Sequence, residues 1–293
     1  MKTVLGIDIG GTNTKLGLVN EKGEILKTTS FPTNSERSFE DFLLQIKKEI
    51  DSFKSVFEAI GIGAPNANSE SGQIENPPNL KWRVAPVVSG LKKYFSKPIV
   101  LENDANMAAC GEKKFGLAKD LQDFVVITLG TGIGTGIFCH NHLITGFHSV
   151  ASEGGHLQIF PEGRNCHCGG FGHLEAYASV RGIKLTTKEV TDKDLLFREI
   201  AERFEKNEKD FVKIFEMTAD FLARGLAQMQ TLLAPESFIL AGGVANVGEP
   251  FRKRVASSLK KYSYPPFKDL SKVEISRIQT QNGAILGAAA LVL

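Results

Sequence analysis

One local pattern occurs twice in this chain and constrains its fold more than any other feature. Residues 3–9 are apolar and β-prone, Gly10-Gly11-Thr12-Asn13 interrupts them, and Lys15-Leu16-Gly17-Leu18-Val19 resumes the run. Much later, Phe124-Val125-Val126-Ile127-Thr128-Leu129 leads into Gly130-Thr131-Gly132-Ile133-Gly134-Thr135-Gly136, and Ile137-Phe138 closes the pattern. Aligning Gly10 with Gly130 gives an offset of 120 residues. Two α/β halves, each opening with a glycine hairpin, imply a duplicated fold of two domains flanking a cleft. A chain of 293 residues suits two modest domains.

Periodicity fills in the halves. Residues 24–31 read as a third antiparallel strand after the turn Asn20-Glu21-Lys22-Gly23. Phe39, Phe42, Leu43, Ile46, Ile50 and Phe53 recur at helical spacing. Residues 59–64 and 98–102 read as buried strands, with a short helix near 87–95 between them and another helix over 106–114. Phe115-Gly116 then marks a boundary, giving a small α/β domain over 1–115 and a larger one over 116–282. Residues 195–234 read as helical, and 238–241 as a buried strand before Gly242-Gly243. The small, apolar residues 283–293 predict a helix packing back on the small domain.

Composition removes several classes. Lys+Arg 35 against Asp+Glu 33 leaves +2, which offers no general electrostatic attraction for nucleic acid or anionic membrane. A hydrophobic fraction of 42% supports a sizeable core, and 23% charged residues with 20 Phe argue against disorder. No apolar run reaches the roughly 18–20 residues that span a bilayer. The first residues place Asp8 where a signal peptide would stay apolar, so a cytoplasmic protein is expected.

Four segments carry chemistry. A β-hairpin with Gly10-Gly11-Thr12 offers backbone N–H groups to phosphate, and Asp8 suits Mg²⁺ directly or through water; a plain tight hairpin is the alternative. The second loop, including Thr131 and Gly132, strengthens the phosphate reading, and Gly242-Gly243 suits packing against a nucleotide base. Glu102-Asn103-Asp104-Ala105-Asn106 lies where strand becomes helix, so Asn103 or Asp104 serves as a cap, or Asp104 accepts a hydroxyl proton. His156, Cys166, Cys168 and His173 form a tetrahedral set for structural Zn²⁺, with His167 ranked fifth. The paired cysteines indicate metal binding in a reducing compartment, while Cys110 and Cys139 are expected to fill core positions.

Together these segments resemble the ROK family of bacterial sugar kinases and sugar-responsive repressors, of the actin-like ATPase (ribonuclease H-like) fold. The resemblance rests on Asp8-Ile9-Gly10-Gly11-Thr12, Gly61-Ile62-Gly63-Ala64-Pro65, Glu102 to Asn106, Leu129 to Gly132, and Cys166-His167-Cys168-Gly169-Gly170-Phe171-Gly172-His173-Leu174-Glu175. It implies phosphoryl transfer from ATP to a hexose hydroxyl, glucose first, early in glycolysis. Asp104 is then the general base, and Asn66, Asn103, Glu153, His156 and Glu175 bind the sugar. Asp8, Gly11, Thr12, Asn13, Lys15 and Thr131 match phosphate and Mg²⁺ contacts, and a homodimer is implied. Three departures stand out: His173 replaces a cysteine, Asn66 a glycine, and Gly155 a larger residue whose absence is expected to loosen its segment. Other hexoses, N-acetylhexosamines and a polyphosphate donor stay open as alternatives. A repressor is disfavoured, because the first glycine loop begins by Gly10 and leaves no room for a helix-turn-helix ahead of it.

Overall fold

The computed structural model describes residues 2–77 and 80–293; Met1, Pro78 and Asn79 lie outside the described residues. Strands β1 (Thr3–Ile9), β2 (Asn13–Asn20) and β3 (Ile25–Pro32) form the expected antiparallel meander. Helix α1 (Phe39–Ser52) starts at Ser38, whose hydroxyl accepts the Asp41 N–H at 3.1 Å, and buries Phe42, Leu43, Ile46 and Ile50. Strand β4 (Ile60–Ala64) runs parallel to β1. A small antiparallel sheet follows, of β5 (Ala67–Asn68), β6 (Gln73–Glu75) and β7 (Val84–Ala85), too short to leave a sequence period. Then come α2 (Val87–Lys92), β8 (Ile99–Asn103) parallel to β4, and α3 (Asp104–Phe115). The main sheet has the order β3-β2-β1-β4-β8.

The pattern repeats from β9 (Phe124–Leu129), β10 (Ile133–Cys139) and β11 (His142–Leu143). A long loop leads to α4 (Glu175–Ala178), α5 (Val180–Thr191), α6 (Phe197–Glu205) and α7 (Lys209–Leu233). Strand β12 (Ser237–Ala241), helix α8 (Glu249–Tyr262) and strand β13 (Lys272–Ile275) complete the sheet, ordered β11-β10-β9-β12-β13. Each sheet has antiparallel strands on one side of its first strand and parallel ones on the other. This is the duplicated α/β fold the two glycine hairpins predict. The helical stretch over 195–234 is two helices, because Asn207 takes a left-handed φ of 57° between α6 and α7.

Helix α9 (Thr280–Ala290) returns to the first sheet. A β-carbon at Gly6 would lie 2.5 Å from the Ile285 C=O, and one at Gly61 1.8 Å from the Ala288 C=O. These glycines therefore seat a helix on the sheet. The chain divides into two compact units. One holds the residues up to Asp120, Thr145–Ala151 and Ile278–Leu293; the other holds Leu121–Ile144 and Ser152–Arg277. Each has its own core, around Phe42, Ile46 and Ile62 in the first and Phe215, Leu222 and Phe238 in the second. Among the described residues no helix is long and apolar enough to cross a membrane.

Candidate active site

In the first unit, adjacent parallel strands bring the acidic groups together. Asp8 near the end of β1 is level with Gly63 of β4, and Gly63 with Glu102 of β8. Asp8 and Asp104 thus lie at the carboxyl ends of β1 and β8, on either side of β4 in the same parallel run, where open α/β sheets bind ligands. Asp104 begins α3, and Asn103 is its cap, with Oδ1 accepting the Ala105 N–H at 2.9 Å. The capping and functional readings are therefore compatible: Asn103 supplies the cap, and the Asp104 side chain is not used in it. Glu102 is the support that sequence reasoning missed. It is 4% exposed, and its Oε1 accepts the Asn103 N–H at 2.8 Å and the Asn106 amide at 3.0 Å, locking the strand-to-helix turn.

Electrostatics distinguish these acids. Desolvation raises the Asp104 carboxyl above its ordinary 3.8, opposed by the N–H groups of Ala105 and of Asp104 itself. Desolvation, helped by the charge of Asp104, pushes Asp8 up to about 6, and Lys15, its cross-strand partner, pulls the other way. A partly buried carboxyl held this high, next to a second one, is a group that a cation would relieve.

The first glycine loop is held from outside itself. Gly10 N–H donates to the Asn13 C=O at 3.1 Å, leaving Gly11, Thr12 and Asn13 exposed. Thr33, fully buried, donates from Oγ1 to the Gly10 C=O at 2.7 Å and from N–H to the Thr12 C=O at 2.9 Å. Its hydroxyl also meets that of buried Thr14 at 2.9 Å. Nothing in the motif pointed to Thr33, which follows the next strand but one. Asn66 has φ 50°, so asparagine sustains the left-handed turn, and its amide donates to the Asn76 C=O at 3.1 Å.

In the second unit, Glu175 joins two of the expected features. Its Oε2 accepts the Ile133 N–H at 2.9 Å against Gly132, while Oε1 lies 4.0 Å from Cys166 Sγ. Thr131 is exposed, and a β-carbon at Gly130 or Gly243 would meet nothing within 4 Å, so open space faces both turns. Gly242 takes φ 89°. Thr135, also missed, receives the Gly154 N–H at 2.8 Å and donates to the Ser152 C=O, clamping the segment before His156. A β-carbon at Gly155 would lie 2.2 Å from the Ile133 C=O, so glycine there tightens the segment rather than loosening it.

His156, Cys166, Cys168 and His173 place one ligand atom each within 4.8 Å of one another, and His167 is not among them. Bridges Gln158–His173 and Asn165–Phe171 fold the loop back so that the two thiols sit at its tip. Cys168 Sγ is 3.2 Å from His173 Nδ1, and Cys166 Sγ 4.0 Å from His156 Nδ1. Tetrahedral Zn²⁺ with bonds of about 2.0–2.3 Å separates its ligands by about 3.3–3.8 Å, so the set fits with small movements. His156 Nε2 faces the other way, 3.9 Å from Glu153 Oε2. The remaining thiols differ from each other. Burial raises the Cys110 thiol to about 12. Cys139, expected in the core, instead lies half-buried beside Asp123 and His140, because it ends an edge hairpin.

A duplicated α/β fold with two glycine loops, paired acids at strand ends and a Cys₂His₂ cluster defines the class to which this protein belongs. The ROK family model matches residues 4–293, and the chain is a member of that family. It is 33% identical over 311 residues to a glucokinase from Thermotoga maritima, covering 99% of this chain and 96% of the relative. A xylose repressor from Caldicellulosiruptor bescii is 28% identical over 314 residues, with 99% of this chain matching 78% of the repressor. The crystal structure of a ROK family glucokinase from Streptomyces griseus, in complex with glucose and AMPPNP, has a TM-score of 0.84 at 30% identity. The match covers 99% of this chain and 98% of that one.

Proposed function

We propose that this chain is a sugar kinase that transfers the terminal phosphoryl group of ATP to a hexose hydroxyl, with glucose the first candidate. The observation that carries the reading is Asp104. It stands at the end of β8 on a turn locked by Glu102 and Asn103, and the desolvation that raises its carboxyl's affinity for protons suits a base. The identity to glucokinases over nearly the whole chain supports the substrate class.

In this reading the protein positions and Asp104 receives the proton as the sugar oxygen attacks phosphorus. Asn66 and Asn103 are the candidate sugar-hydroxyl ligands of the first unit, and Glu153, His156 and Glu175 those of the second. The N–H groups of Gly11, Thr12 and Asn13, with Lys15, are the phosphate contacts offered by the first loop, whose Gly10 N–H closes the hairpin on the Asn13 C=O; Thr131 and Gly132 are those of the second, and Gly243 leaves room for the base while Gly242 turns against the Leu129 backbone. Asp8 is the residue for Mg²⁺, which when bound neutralises phosphate charge. His156, Cys166, Cys168 and His173 would hold Zn²⁺, which when bound orders the loop bearing His156 and Glu175. A cytoplasmic setting suits the two thiols, since reducing conditions keep them free for metal. The family resemblance favours a homodimer, which light scattering would test.

The test is an ADP-release assay with MgATP and polyphosphate against glucose, mannose, fructose and N-acetylhexosamines, run with Asp104→Asn alongside. Preference for glucose by kcat/KM, abolished in the folded variant, is expected. Undiminished turnover in Asp104→Asn refutes the mechanism, and preference for another sugar refutes the substrate.

A further inference from the structure

The β9–β10 hairpin carries chemistry that neither the phosphate loops nor the Cys₂His₂ cluster uses. Asp123 precedes β9, Cys139 ends β10, and His140 opens the tight turn into β11. A carboxylate oxygen, the thiol sulfur and a ring nitrogen from these residues lie within 4.8 Å of one another. The backbone fixes all three positions. Asp123 donates its N–H to Glu236 Oε1 at 3.1 Å and accepts the Glu236 N–H on its C=O at 2.8 Å. Asp123 Oδ1 accepts the His140 N–H at 2.9 Å. His140 and Asn141 both have positive φ, 49° and 64°, as a two-residue hairpin turn of the primed type requires. That turn sets the His140 ring beside Cys139 instead of across the strand from it.

The donor set is a matched one. A carboxylate oxygen, a thiol and an imidazole nitrogen within reach of one ion offer it three ligands of different hardness. A divalent cation bound there neutralises carboxylate and thiolate together, takes the imidazole as a third ligand, and releases the thiol proton to water. Thiolate with imidazole selects zinc and its borderline neighbours over magnesium or calcium. We propose that Asp123, Cys139 and His140 form a second zinc-type site, with water completing the coordination. The half-exposed position leaves room for that water. Asp123 and Thr131 lie at opposite ends of β9, about 20 Å apart at 3.3 Å per residue, so the ion would pin the hairpin rather than take part in phosphoryl transfer.

The test compares the full chain with Cys139→Ser and His140→Ala after equilibrium dialysis against micromolar Zn²⁺, reading bound zinc per chain. Each variant is expected to hold one ion fewer than the wild type, with kcat/KM for the hexose unchanged. Loading with Co²⁺ should show part of the thiolate charge-transfer absorption disappearing in Cys139→Ser. Equal zinc in all three proteins overturns the site, as does loss in Cys139→Ser with none in His140→Ala. The readout is a difference in metal content, so it stands or falls separately from the kinase reading and from the Cys166 loop. Both positions lie at the hairpin end, and circular dichroism of each variant confirms folding.

Discussion

Asp8→Asn should make the protein more stable while removing its activity. In the folded chain the carboxyl titrates at about 6 because it is desolvated and lies close to Asp104; in the unfolded chain it returns to about 3.8. The folded state therefore binds the proton more tightly, and stability falls as pH rises from about 4 to above 6. At 1.36 kcal/mol per pH unit the full effect is about 3 kcal/mol, of which about 1.4 falls between pH 5 and 8. Partial access of Asp8 to water reduces the observable change to about 1 kcal/mol. Asparagine has nearly the same shape and no charge, so its advantage over the wild type should be larger at pH 8 than at pH 5. Urea unfolding of both proteins at the two pH values, without added magnesium, measures it. A variant less stable at pH 8, or an advantage independent of pH, would show that Asp8 is not held charged at a cost. Steady-state kinetics on the same samples should show turnover lost, as expected for a residue placed at the phosphates.

Four further outcomes follow from the geometry. Asp104→Asn should lower kcat by about 10²–10⁴-fold with little change in KM or Tm, and the acid limb of the wild-type profile should lie above pH 3.8, as the raised carboxyl requires. Thr33→Val strips the Gly10 C=O and Thr14 of a partner, costing about 1–3 kcal/mol in urea melts, and should raise KM for ATP more than KM for the hexose. Thr33→Ser should restore both. Gly61→Ala drives a methyl to 1.8 Å from the Ala288 C=O, so about 3 kcal/mol or more of destabilisation is expected by denaturant unfolding. Chelation of bound metal should lower Tm by about 5–10 °C in scanning calorimetry, and Cys166→Ser should remove the part of that sensitivity that belongs to the Cys166 loop.

The groups that would touch ligands were the easier part to find in the sequence. Alternating glycines after an apolar run mark a hairpin whatever surrounds it, and the repeat of Gly10 at Gly130 carried the duplication. Cys166, Cys168, His156 and His173 were found because few other roles require those residue types so close together. Thr33, Glu102 and Thr135 were not found, since a buried hydroxyl or carboxylate that braces a loop has no spacing rule; its partners are set by strand neighbours distant in sequence. Gly6, Gly17 and Gly61 seat a helix, and nothing in the local sequence separates such a glycine from one beside a phosphate. The break at Asn207 escaped because one left-handed residue scarcely disturbs the apolar period around it. Cys139 reads as apolar filling until β9 brings Asp123 beside it.

The seating of α9 on Gly6, Gly17 and Gly61 also sets an order of assembly during synthesis. The first sheet is made before the second unit, yet the helix that covers its glycine face is made only after it. Until then β1, β2 and β4 present an uncovered apolar surface, while the second unit already has all of its strands. Of the two units, the one begun first is therefore the one finished last, and its exposure to aggregation or to chaperones lasts through translation of the other.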